Sequence, residues 1–108
     1  YQGDRIIEHA LRIMHDKPAN PWTMDALALE VGASRASLAR RFQERVGESP
    51  MTFLRNWRMA LAADLLCQPN ETVSTVAEKV GYATPFAFST AFKRVRGVSP
   101  QAHRAAAL

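Results

Sequence analysis

The sequence predicts an all-α fold of seven helices, arranged as two helix-turn-helix units joined by a long linker helix. Three observations carry that prediction. Apolar residues recur at helical spacing along most of the chain. Capping residues and glycines punctuate those segments where helices would start and stop. The second half of the chain then repeats the punctuation of the first.

The first helix runs from Asp4 to His15, with Ile6, Ile7, Ala10, Leu11 and Met14 at helical spacing. Pro18 and Pro21 cannot continue it, and Trp22 reads as a core plug beneath this loop. Thr23 is a good N-cap for a second helix, about Met24–Val31, that buries Leu27, Ala28 and Val31. Gly32 suits the left-handed position that ends a helix. Ser34 then caps a third helix, about Arg35–Val46, with Leu38 and Phe42 on its inner face, and Gly47 stops it.

Ser49-Pro50 is a cap followed by proline at the first helical position. A long helix follows to Cys67, with Phe53, Leu54, Trp57, Leu61, Leu65 and Leu66 on its apolar side. At 1.5 Å per residue it is roughly 27 Å long. Thereafter Thr72, Val76, Ala77, Val80 and Gly81 repeat Thr23, Leu27, Ala28, Val31 and Gly32 at an offset of 49. Phe92, Gly97, Ser99 and Pro100 repeat Phe42, Gly47, Ser49 and Pro50 at an offset of 50. One residue is therefore inserted in the second turn or at the start of the helix after it. That sixth helix, about Pro85–Arg96, is capped by Thr84, and a short last helix starts at Ser99-Pro100 and frays over Ala105–Leu108. Residues 1–49 form the first unit, 50–67 the linker and 68–108 the second unit.

Composition narrows the function. The chain has 108 residues, 14 Lys+Arg and 10 Asp+Glu. Residues 35–58 hold Arg35, Arg40, Arg41, Arg45, Arg55 and Arg58 against Glu44 and Glu48, a net +4. Residues 93–108 hold Lys93, Arg94, Arg96 and Arg104 and no acid, another +4, whereas the remainder is net −4. Positive charge thus gathers in and after each copy of the motif, where a footprint for phosphates belongs. A single cysteine, Cys67, excludes an internal disulfide and any multi-cysteine metal site, and reads as a half-buried structural thiol. His9, His15 and His103 are scattered, with no nucleophile–base pair or metal spacing, so neither an enzyme nor a cofactor is predicted. The first two read as polar-face residues of the first helix.

Helical geometry selects the outward faces. Leu38 and Phe42 fix the inner side of the third helix, leaving Ala36, Arg40, Gln43 and Glu44 outside with Ala39 and Arg35 beside them. An arginine among alanines permits close approach to a major groove, where Arg40 can bridge guanine O6 and N7. The plainer alternative is a solvated or phosphate-binding face. Phe88 and Phe92 turn Phe86, Ala87, Thr90, Lys93 and Arg94 outward on the sixth helix. Thr90 stands where Arg40 stands in the first copy, and its surroundings offer apolar contacts, for instance to a thymine methyl. The base-contact candidates are Arg35, Ala36, Ala39, Arg40, Phe86, Ala87 and Thr90. The phosphate-contact candidates are Ser34, Arg41, Gln43, Thr84, Lys93 and Arg94. Successive turns of the major groove on one side of a duplex lie about 34 Å apart, a length that a linker helix and its flanking helices match. A single chain then suffices to reach both.

These residues carry a family resemblance over about Asp4 to Arg104. The first unit has Ala28-x-x-Val31-Gly32-x-Ser34-x-x-x-Leu38-x-Arg40-x-Phe42. The linker has Arg58-Met59-x-x-Ala62-x-x-Leu65-Leu66. The second unit has Val76-Ala77-x-x-Val80-Gly81-Tyr82, Phe88-Ser89-x-x-Phe92-Lys93 and Gly97-x-Ser99-Pro100-x-x-x-Arg104. Together they resemble the DNA-binding domain of the AraC/XylS family of bacterial transcription regulators. The resemblance implies a cytoplasmic, nucleoid-associated activator or repressor that binds double-stranded DNA near a promoter and touches RNA polymerase. It implies no membrane partner, and a separate effector or dimerisation domain, usually N-terminal, beyond these residues. Two departures stand out: Thr90 where the family often has arginine, and His103 where it often has tyrosine, a change of packing.

Overall fold

In the computed structural model, which describes residues 4–107, seven helices follow one another: α1 Arg5–Asp16, α2 Met24–Val31, α3 Arg35–Val46, α4 Pro50–Leu66, α5 Val73–Lys79, α6 Pro85–Arg96 and α7 Pro100–Ala107. The chain divides into two units, Tyr1–Arg55 and Asn56–Leu108. The boundary falls inside α4, so this helix serves both.

The first unit closes around Ile7, Ala10 and Met14 of α1, Leu27 and Ala28 of α2, Leu38 and Phe42 of α3, and Leu54 of α4. Asp4 starts α1 by accepting from the Ile6 and Ile7 amides at 3.1 and 3.3 Å. Thr23 and Ser34 accept from Ala26 and Ser37 at 3.0 and 3.1 Å, fixing where α2 and α3 begin. Trp22 packs on this core half-buried, and its indole donates to the Lys17 carbonyl at 3.1 Å. It therefore ties down the proline loop as well as covering the core.

The second unit closes around Met59, Ala62, Ala63 and Leu66 of α4, Val76, Ala77 and Val80 at α5, and Phe88 and Phe92 of α6. Aromatic rings run through it in a chain: Tyr82–Phe88 at 5.8 Å, Phe88–Phe92 at 5.7 Å and Phe92–His103 at 5.5 Å. His103 is half-buried, with Nε2 3.1 Å from the Ala63 carbonyl. Arg104 donates to the Glu71 carbonyl and, at 3.3 Å, to that of Pro69. It thereby fastens α7 to the α4–α5 loop. Burial pulls the Arg58 guanidinium below its ordinary value and Tyr82, 6.0 Å away at its ring centroid, pushes it back up. Arginine stays charged through shifts of this kind, so Arg58 stacks on Tyr82 as a cation.

The structure departs from the sequence-based expectation at three places. The buried side of α4 is Leu54, Met59, Ala62, Ala63 and Leu66, while Phe53, Trp57, Leu61 and Leu65 are only half-buried. A helix feeding two cores shows no single apolar stripe. Cys67 lies just past the end of α4 and is exposed, not half-buried. Its thiol donates back to the Ala63 carbonyl at 3.4 Å. Finally, α7 stays helical through Ala107, as a run of alanine, the best helix former, favours; Leu108 lies outside the described residues.

Phe42→Ala and Phe92→Ala each create a cavity at a fully buried ring and should cost about 3–5 kcal/mol. Urea unfolding measures this, and an unchanged midpoint would refute the packing described.

Candidate nucleic-acid interface

Each unit places a capped helix behind a glycine turn. After α2 the backbone turns through Gly32 at φ +73°, with the Ala33 amide donating to the Ala28 carbonyl at 3.0 Å and the Gly32 amide to Leu29 at 3.3 Å. After α5 it turns through Gly81 at φ +89°, with Tyr82 donating to Ala77 at 2.9 Å and Gly81 to Glu78 at 3.1 Å. All four bonded positions match at the offset of 49. The N-caps Ser34 and Thr84, which accept from Ser37 and Ala87 at 3.1 Å each, match at 50. The inserted residue therefore lies in the turn itself, and Ala83 is the extra one.

On α3 the residues Arg35, Ala36, Arg40, Gln43 and Glu44 are exposed, and Ala39 and Arg41 are half-exposed. Ser34 is exposed, although its hydroxyl is engaged as the cap. Three acids border this face. Arg40 lies 3.7 Å from Glu44, one turn along the same helix, with side chains 67% and 60% exposed. A pair so open to solvent contributes only a few tenths of a kcal/mol, so the Arg40 guanidinium is free to exchange partners. Arg35 lies 3.4 Å from Asp25 of α2. Arg41 lies 3.6 Å from Asp4, whose side chain is nearly buried.

The Asp4–Arg41 contact borders an open cleft of about 550 Å³, lined by Asp4, Arg5, Ile6, Arg40, Arg41, Glu44 and Arg45. Four guanidiniums against two carboxylates make it electropositive. The sequence reading missed Arg5 and Arg45 as members of this site. Arg5 sits on another helix, and the only signal for Arg45 was the charge count. Of the other arginines in residues 35–58, Arg58 belongs to the second unit and stacks on Tyr82.

On α6 the residues Phe86, Ala87, Thr90, Lys93 and Arg94 are all exposed, as is the cap Thr84. Phe86 is 81% exposed, which rules out its burial against the turn. Thr90 Oγ1 donates to the Phe86 carbonyl at 3.0 Å. Lys93, Arg94 and Arg96 make the last turn basic.

Residues 27–106 match the model of a helix-turn-helix domain family. A putative AraC-like transcription regulator of Streptomyces lividans is 42% identical over 102 residues, 94% of this chain and 34% of that protein. The chain belongs to the AraC-type helix-turn-helix family. Another relative, the RCS-specific HTH-type transcriptional activator RclR of Escherichia coli, is 35% identical over 91 residues, 84% of this chain and 32% of that one. The chain spans about a third of the length of these curated relatives. Its fold is that of the C-terminal domain of AraT, a response regulator from Geobacillus stearothermophilus. There the TM-score is 0.93 at 31% identity, over 98% of this chain and 88% of that one. The DNA-binding domain of AdpA, solved in complex with a target DNA, superposes with a TM-score of 0.89 at 28% identity, over 95% and 93% of the two chains. Among the described residues of this AraC-type chain, no helix is long and apolar enough to cross a membrane.

Asp4→Ala removes the α1 cap and should cost about 1 kcal/mol, lowering the melting temperature by about 4–8 °C. A melting temperature equal to the parent's would show that Asp4 does not hold α1.

Proposed function

We infer that the chain binds double-stranded DNA sequence-selectively through α3 and α6, as the DNA-binding part of a transcription regulator. The observation that carries this reading is the outer face of α3. Arg40 stands there exposed beside Ala36 and Ala39, loosely paired, on a helix whose start is fixed by a glycine turn and a serine cap. The glycine turn and the capped helix start recur at α6, and the AdpA domain of the same fold is seen with DNA.

Arg40 is assigned a guanine contact, with Arg35, Ala36 and Ala39 closing against the same groove. Phe86, Ala87 and Thr90 are the base-facing residues of α6. Ser34, Arg41, Gln43, Thr84, Lys93 and Arg94 are assigned to phosphates, which position the helices without carrying sequence information. The α4 helix, 17 residues and so about 25 Å long, suits a connector between recognition helices that meet successive turns of one major groove. The role is binding rather than catalysis. A cytoplasmic, nucleoid-associated location and contact with RNA polymerase go with this reading.

Selection from a random duplex library, followed by footprinting at two salt concentrations, tests this. On the selected site Arg40→Ala should cost about 1–3 kcal/mol and relax selectivity at one position. Lys93→Ala should weaken binding to all duplexes alike and reduce the salt slope by about one. If no duplex binds better than bulk DNA at low salt, the function proposed here is wrong. Equal losses for Arg40→Ala on selected and random DNA would make Arg40 a phosphate contact instead.

A further inference from the structure

We propose that α6 reads the C5-methyl group of pyrimidines, so that thymine and 5-methylcytosine are equivalent to it. This rests on the DNA-binding reading above and concerns what one half of the site recognises.

Residues near the start of a helix lying in the major groove are the ones that reach base edges. On α6 the exposed residues that follow Pro85 there are Phe86, Ala87 and Thr90. Phe86 and Ala87 have no polar side-chain atom. Thr90 has one hydroxyl, and its proton is spent on the Phe86 carbonyl at 3.0 Å. This back-bond draws Oγ1 toward the helix's own backbone, leaving the methyl as the group offered to a ligand. No side-chain donor remains among the three for thymine O4 or guanine O6. The Thr90 oxygen can still accept, but A·T and G·C pairs both present a donor to it, adenine N6 and cytosine N4, so acceptance alone separates the two pairs poorly. What the face can tell is whether the pyrimidine carries a methyl at C5, the one apolar group on the major-groove edge.

Two observations favour a nucleic-acid occupant over an apolar protein surface. Phe86 is 81% exposed, a large ring that loses its contact with water only when something covers it. One to two turns further along the same face, Lys93 and Arg94 add positive charge with Arg96 behind them. An aromatic and methyl tip followed by a basic turn fits bases flanked by phosphates. Arg40 and its donors on α3 make no comparable apolar tip, so the two halves of the site differ in chemistry.

The test uses the selected duplex with single-base replacements in the half-site that α6 protects. Replacing a contacted thymine by uracil removes only the methyl and should weaken binding about fourfold. Changing that T·A pair to C·G should weaken it similarly, and 5-methylcytosine in place of the cytosine should restore affinity to within about twofold. The same replacements in the α3 half-site are the comparison. The combined variant Thr90→Ser with Phe86→Ala should bind thymine and uracil duplexes alike. Both positions are exposed, so a melting temperature close to the parent's confirms that it is folded.

Specific binding with no uracil effect overturns this inference and leaves DNA recognition standing. So does a 5-methylcytosine duplex bound no better than the cytosine one, or a methyl effect that persists in the double variant. No duplex bound above bulk DNA overturns the DNA-binding reading itself.

Discussion

Both units depend on a backbone conformation that only glycine adopts without strain. At Gly32 and Gly81 the chain takes positive φ, a region that costs an ordinary residue roughly 1–2 kcal/mol. A Cβ at Gly32 would meet nothing within 4 Å, so the residue is there for its torsion and not to make room. The torsion lets the amides of Ala33 and Tyr82 reach back to Ala28 and Ala77, which closes the helix end and aims the chain into the next helix. Once that direction is set, the cap fixes the first residue of the next helix, and a rotation of 100° per residue does the rest. Leu38 and Phe42 must face the first core, so Ala36 and Arg40 must face out. Phe88 and Phe92 must face the second, so Phe86 and Thr90 must face out.

The extra residue in the second turn shows how tightly this logic holds. Ala83 falls after the closing bond of Tyr82 and before the cap Thr84. Placed inside α6 it would have rotated Phe88 away from Phe92's neighbours and taken the outward face with it. Placed in the turn it changes neither the end of α5 nor the faces of α6. The Tyr82 ring lies 5.8 Å from Phe88 and receives Arg58. The two copies thus share a frame while differing in the path between helices.

What the sequence displays plainly are features whose cause is local. Glycines, caps, prolines at helix starts and apolar pairs four apart, Leu38 with Phe42 and Phe88 with Phe92, each act within one turn, and helix bounds read from them agree closely with the structure. The outward faces of α3 and α6 follow from the same spacing. What it hides are contacts between distant positions and residues of little character. Asp4 meets Arg41, and Arg104 meets the carbonyls of Pro69 and Glu71, across separations that no periodicity reports. Ala62 and Ala63 are core residues of α4, but alanine is as common on exposed helix faces as on buried ones. The Thr90 hydroxyl was equally invisible, since the same side chain could have pointed its oxygen or its methyl outward.

That last detail bears on how the two helices divide recognition. Arg40 carries five donors and is held loosely by an exposed carboxylate one turn away. Glu44 does not lock it, and by repelling phosphate it discourages the arginine from settling on the backbone instead of a base. Thr90 has given its donor to the helix and presents carbon. On the proposed reading, one face would exchange a weak ion pair for a strong bidentate contact, whose loss would leave charge without a partner. The other is built to bury methyl and aromatic surface, which accumulates gradually with area. On the DNA reading proposed above, the first would discriminate steeply between bases, and the second would grade pyrimidines by their methyl groups. A duplex site read by both would therefore be asymmetric even though the frame that reads it is a repeat.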